Sequence, residues 1–79
     1  MPFLNGTYIN KTSGILGGKA RINGTRIPVW LIVSLYESGM DYDEIIADYP
    51  RIGEDDIDAA LRYYEDNRDE IWQDIEDNS

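Results

Sequence analysis

The sequence predicts a mostly helical single domain, with a short N-terminal β-hairpin, a three-helix core and a C-terminal helix extending beyond that core. Three observations carry this. Apolar residues recur at a helical period from Pro28 onward, helix-starting and helix-stopping residues punctuate the periodic stretches, and the first 25 residues are rich in Gly, Asn and Thr without that period. The chain thus divides into an extended segment over 1–27, a core over 28–67 and a helical tail over 68–79.

Short strands are expected near Tyr8-Ile9 and from Ala20 to Ile22. Asn23-Gly24 separates Ala20-Arg21-Ile22 from Thr25-Arg26-Ile27, which reads as a two-residue hairpin turn with positive φ at both central positions. Pro28 suits a first helical turn, where its missing N–H costs nothing, and Gly39 supplies a left-handed end after Ser38. Within that helix Leu31, Ile32, Leu35 and Tyr36 share one face, while Trp30 and Val33 lie on the other. Either the N-terminal segment covers Trp30 and Val33, or they form an interface.

Asp41 with Glu44 three residues later makes a capping box for a short helix that carries Ile45, Ile46 and Tyr49 inward and stops at Pro50. Gly53 caps the next helix, and Glu54, Asp55 and Asp56 fill its first turn, where the helix dipole favours acids. Ile57, Ala60, Leu61, Tyr64, Ile71, Trp72 and Ile75 then form one stripe interrupted by Arg68, predicting a helix that continues to about residue 76. Asp58, Arg62 and Asp66 form a ladder on its solvent side. Once Ile57, Leu61 and Tyr64 close the core, Ile71, Trp72 and Ile75 project past it and need a surface to cover. Together with Trp30, Val33 and Arg68 they are the expected partner-binding residues.

At 79 residues the chain holds one core, worth roughly 3–5 kcal/mol of net stability, and the absence of cysteine leaves no disulfide to add to it. Self-association or a partner surface is the remaining source of stability. The run Ile27 to Val33 is too short to span a bilayer, and Met1 to Lys11 lacks the pattern of a signal peptide, so a cytoplasmic protein is expected. The net charge of −9 is unevenly placed: residues 1–36 carry Lys11, Lys19, Arg21 and Arg26 and no acid, whereas 37–79 carry three bases and sixteen acids. An acidic bulk repels nucleic acid and membranes, so any DNA contact falls to Lys19, Arg21 and Arg26.

Histidine and cysteine are both absent, which removes the commonest acid-base, nucleophilic and soft-metal side chains, and Ser13, Ser34 and Ser38 have no evident base. Asp41/Asp43 and Asp56/Asp58, spaced by two, diverge around a helix instead of converging on a cation. No enzyme, cofactor or metal site is expected. Gly14 to Ala20 misses the phosphate-loop pattern by one residue of spacing and by Ala20 where Ser or Thr is needed, so it reads as a turn into the hairpin. The helices flanking Pro50 to Gly53 match a helix-turn-helix outline, but a leading face of Glu54, Asp55, Asp56 and Asp58 opposes a phosphate groove, so the outline speaks to fold and not to DNA reading.

Gly17-Gly18-Lys19-Ala20-Arg21-Ile22-Asn23-Gly24-Thr25-Arg26-Ile27-Pro28-Val29 carries a further pattern, followed in order by Gly39-Met40, Glu44-Ile45-Ile46, Asp48-Tyr49-Pro50, Asp56-Ile57 and Ala59 to Tyr64. Over about residues 8–76 the chain resembles a small prokaryotic family, domain of unknown function 433, many of whose members are assigned as VapB-type antitoxins. One departure is Ala20, where the family usually has Pro after Gly-Gly-Lys. The resemblance implies a homeodomain-like three-helix core with an N-terminal hairpin, and a PIN-like ribonuclease toxin as partner. A PIN-type site is a carboxylate cluster holding Mg²⁺, which an inhibitor must neutralise or cover.

On this reading the Ile71, Trp72, Ile75 face docks in a groove on the toxin, and the hairpin with Arg21 and Arg26 approaches the acidic site. Alternatively the acidic tail imitates RNA. Two other functions stay open: a DNA-binding autorepressor working through the basic hairpin, and a homo-oligomeric module seamed at Trp30 and Val33.

Overall fold

The computed structural model describes residues 8–78 and is mostly helical, with a short antiparallel pair of strands at its N-terminal side. Strands β1 (Ile9–Asn10) and β2 (Arg21–Ile22) are followed by helices α1 (Val29–Glu37), α2 (Tyr42–Asp48), α3 (Glu54–Asp66) and α4 (Arg68–Asp77). Each of the expected helices is present, and an extra boundary splits the last one.

Helix α1 is the centre of the fold because its sequence is almost wholly apolar. Val29, Ile32 and Val33 are fully enclosed, and Trp30 and Leu35 pack half-buried against the same core. The extended backbone of Pro28 leads directly into it, and the Val29 N–H, which no helix could satisfy, donates to Ala20 O at 2.9 Å. The other end closes as a Schellman motif: Met40 N–H reaches Leu35 O at 3.2 Å, and Gly39 N–H reaches Tyr36 O at 3.1 Å. That geometry requires the φ of +108° that Gly39 adopts.

The capping box of α2 forms in both directions, Glu44 N–H to Asp41 Oδ1 at 2.9 Å and Asp41 N–H to Glu44 Oε1 at 3.0 Å. Ile45 is its buried residue, with Ile46 and Tyr49 half-buried beside it. Helix α3 begins after Gly53, whose N–H donates to Asp56 Oδ2 at 3.0 Å. It buries Ile57, Ala59, Ala60, Tyr63 and Tyr64, and leaves Leu61 only half-covered. The inward stripe is therefore rotated slightly from the predicted one, toward Tyr63.

Two expectations are corrected here. The first is the single long C-terminal helix. Asn67 leaves the helical region (φ −140°, ψ 48°), and its Nδ2 donates to Tyr63 O at 3.0 Å, taking the carbonyl that a continuing helix would have paired through the Asn67 N–H. That N–H turns to Tyr64 O instead, at 3.2 Å. The chain bends, and α4 folds back against α1 with Ile71 at 0% exposure.

The second correction concerns the hairpin. The primary partner of β2 is β1, in the register Ile9↔Ile22 and Asn10↔Arg21, and Asn23 N–H adds a bond to Tyr8 O at 2.7 Å. Arg21 also bridges Pro28, and Ile22 N–H bonds Ile27 O at 2.8 Å, so the turn spans four residues, not two. Among the described residues Asn23 has no positive φ; Gly24 alone does in this turn, at +79°. The reason is Thr25, whose hydroxyl donates to Ile22 O at 2.9 Å and accepts from Ile27 N–H at 3.0 Å. The backbone bond of the tighter turn is also present, Thr25 N–H to Ile22 O at 3.1 Å, and the hydroxyl carries the pairing on to Ile27.

Candidate functional site: an arginine-lined cleft

Much of the expected docking face is interior. Val33 and Ile71 are 1% and 0% exposed, so neither offers surface to a partner, and the expectation that they do is withdrawn on burial alone. Trp30 and Ile75 are half-buried and pack against the same core. Arg68 is exposed and lies over the Tyr64 ring, 5.0 Å from its centroid, a cation–π contact that tethers the start of α4 to α3. Trp72 alone keeps the character predicted for the stripe, at 49% exposure.

The basic residues of the N-terminal segment also separate. Lys19 pairs with Asp77 at 3.6 Å and Lys11 with Glu70 at 3.0 Å, so both cations hold α4 to the segment before β2. The stretch around Lys19 is a succession of tight turns. Ile15 N–H bonds Thr12 O and Gly18 N–H bonds Ile15 O, with Leu16 and Gly17 both at positive φ (52° and 65°). Its lysine is directed at a carboxylate of its own chain.

Arg21 and Arg26 behave differently. Both line an open cleft of about 520 Å³ beside the 23–26 turn, and a third arginine, Arg51, reaches the same cleft from the turn between α2 and α3. Arg51 Nη2 lies 3.5 Å from Gly24 O, a contact long enough to leave the guanidinium loosely held. Arg21, at 8% exposure, is fixed: Nη1 donates to Thr25 O at 3.1 Å and Nη2 to Thr12 Oγ1 at 3.0 Å, while Nε is buried with no acceptor. Arg26 is exposed at the rim.

The remaining lining comes from Ile15, Gly24, Thr25 and Ile27, so among the described residues no carboxylate lines the cleft with these three cations. In a chain with sixteen acids and seven bases, that is a local inversion of sign. Sequence reading named Arg21 and Arg26 but missed Arg51, for which the only cue was a base directly after Pro50 at a turn.

Away from the cleft lining the acids have their own network. Tyr63 OH donates to Glu70, 2.9 Å from each carboxylate oxygen, and Lys11 binds the same group; burial first and this bond second push the Tyr63 phenol up. Asp74 is buried with Oδ2 lacking a donor, and desolvation raises its carboxyl above the ordinary aspartate value, against the attraction of Lys19. Tyr42 OH donates to Asp58, which is the main reason its phenol is pushed up to about 12. Among the described residues no group of three or more His, Cys, Asp or Glu is placed to hold a metal ion, and no helix is long and apolar enough to cross a membrane.

Comparison with known proteins adds a family likeness. The model of the family described as "Protein of unknown function (DUF433)" matches residues 9–64. The chain is similar to the crystal structure of a DUF433 member protein from Anabaena variabilis ATCC 29413, at 42% identity and a TM-score of 0.84 over 87% of this chain and 68% of that one. No curated protein matches it.

Proposed function

The chain belongs to the DUF433 family of proteins of unknown function, and from that premise we propose that it is a non-enzymatic inhibitor, the cytoplasmic antitoxin of a PIN-like ribonuclease toxin. The observation that supports this reading most is the cleft that Arg21, Arg26 and Arg51 line together with no acid among its described lining residues. An active site built of carboxylates around Mg²⁺ is the complementary surface, and arginine pairs with carboxylates through two parallel N–H donors. The acidic remainder of the chain repels RNA, keeping substrate from a toxin to which the inhibitor is bound.

Of the inhibition routes open to the sequence, this one fits the fold better than the groove-docked tail. Ile71 is already used in the chain's own core, and Glu70 and Asp77 are paired with Lys11 and Lys19, which leaves Trp72 as the exposed apolar side chain of the stripe.

The test is to express the open reading frames that flank this gene and to assay RNA cleavage by any PIN-like product among them with increasing amounts of the purified chain. Cleavage is expected to fall to nothing at a defined stoichiometry. Removing one partner of a buried interfacial charge pair costs roughly 2 kcal/mol or more, so Arg26→Ala and Arg51→Ala each weaken inhibition about thirtyfold. Undiminished cleavage at saturating chain sinks the proposal. A salt-sensitive gel shift with the upstream DNA, lost in the same variants, would favour the autorepressor instead.

A further inference from the structure

A buried guanidinium with only neutral partners is an incomplete arrangement. Arg21 is more than nine-tenths enclosed, its two bonds go to a backbone carbonyl and a threonine hydroxyl, and no ion pair to it exists among the described residues. Its Nε is shut off from water and has no acceptor. A charge taken out of water is stabilised by a counter-charge or by full hydrogen bonding, and here neither is complete. Arg26 and Arg51 then bring two more positive charges to the same cleft, which is unfavourable for the chain alone and favourable once an anion enters.

We infer that this cleft is a carboxylate-binding site, in which Arg26 and Arg51 contact the bound carboxylate directly and Arg21, held by Thr12 and Thr25, supplies fixed positive charge at its base. The fold brings the three side chains to one cleft, and only Arg21 is fixed there without a ligand. Arg21 is clamped, Arg51 projects from the turn after α2, and Arg26 sits at the end of the turn that Gly24 and Thr25 shape. A planar carboxylate matches the guanidinium fork, and its single charge meets far less of the repulsion that a net charge of −9 imposes on a polyphosphate chain. Ile15 and Ile27 beside the arginines add an apolar wall that suits the methylene stem of an Asp or Glu side chain. That the carboxylate belongs to a toxin's active site rests on the inhibitor reading; the affinity of the cleft for carboxylate does not.

The experiment is a titration of the whole chain with succinate, inorganic phosphate and sodium chloride at matched ionic strength, following the arginine Nε–Hε signals by NMR and the melting temperature in parallel. Succinate is expected to shift the Arg21, Arg26 and Arg51 signals saturably and to raise the melting temperature beyond the chloride control, because a ligand that binds only the folded state stabilises it. The double variant Arg26→Gln/Arg51→Gln, which changes only exposed side chains, keeps the fold and weakens succinate binding by about tenfold or more. Shifts no larger than those from chloride, a response to phosphate without one to succinate, or binding of a short DNA duplex in the cleft would each overturn the assignment. Succinate binding without toxin inhibition retires the inhibitor proposal and leaves the site standing, whereas inhibition without succinate binding does the reverse.

Discussion

Replacing Ile71 by Ala separates a docked C-terminal helix from a free one by the sign of the effect. In the structure Ile71 is 0% exposed between α4 and the core, so the substitution deletes buried methyl and methylene groups and leaves a cavity, a loss of roughly 2–5 kcal/mol. For a domain of this size that lowers the melting temperature by roughly 10–40 °C, and it is comparable to the whole stability of about 3–5 kcal/mol expected of such a core. Were α4 an undocked tail, the same change would be neutral or slightly stabilising, because alanine has the higher helix propensity. The milder Ile71→Val costs about 0.5–1.5 kcal/mol and keeps the folded state measurable if the alanine variant does not fold. Urea unfolding followed by far-UV circular dichroism gives both values. A parent-like midpoint for Ile71→Ala would refute the folded-back helix and restore the partner-dependent tail.

Further outcomes follow from other parts of the fold. Because burial raises the Asp74 carboxyl, folding favours its protonated form. Its contribution to stability therefore improves as pH falls through that raised value and levels off below the ordinary 3.8. Asp74→Asn should accordingly stabilise the chain at neutral pH, with the advantage vanishing on acidification, as urea midpoints across pH will read. Asp58→Asn removes the main cause of the raised Tyr42 phenol, so an absorbance titration should show one tyrosine moving from about 12 toward the ordinary 10. Gly39→Ala places a side chain at φ +108° and should cost roughly 1–2 kcal/mol in the same unfolding assay.

The legible parts of the site and fold were those written in short stretches of chain. Arg21 and Arg26 stood out because they flank a glycine turn in a segment free of acids, and the turn places them together whatever surrounds it. Arg51 was not legible, since nothing near Pro50 says that its side chain faces Gly24 across a tertiary gap. The break at Asn67 had a local signal, an amide side chain able to compete for the backbone, but helical periodicity on both sides masked it. Thr25 was passed over in the same way: the Asn-Gly pair suggested a two-residue turn, and the threonine hydroxyl decided for four.

By itself, then, the sequence determined the caps and stops of the first two helices and most of their inward residues, because these depend on interactions within a few residues: the Asp41 box, the Gly39 ending and the apolar run of α1. Only the tertiary structure decided where α4 goes and which charges meet. An amphipathic helix carries an apolar face but no address for it, and Ile71 is equally suited to a partner's groove or to the chain's own α1 until the bend at Asn67 selects one. The same holds for the arginines, whose charge is a property of residues but whose convergence is a property of distance.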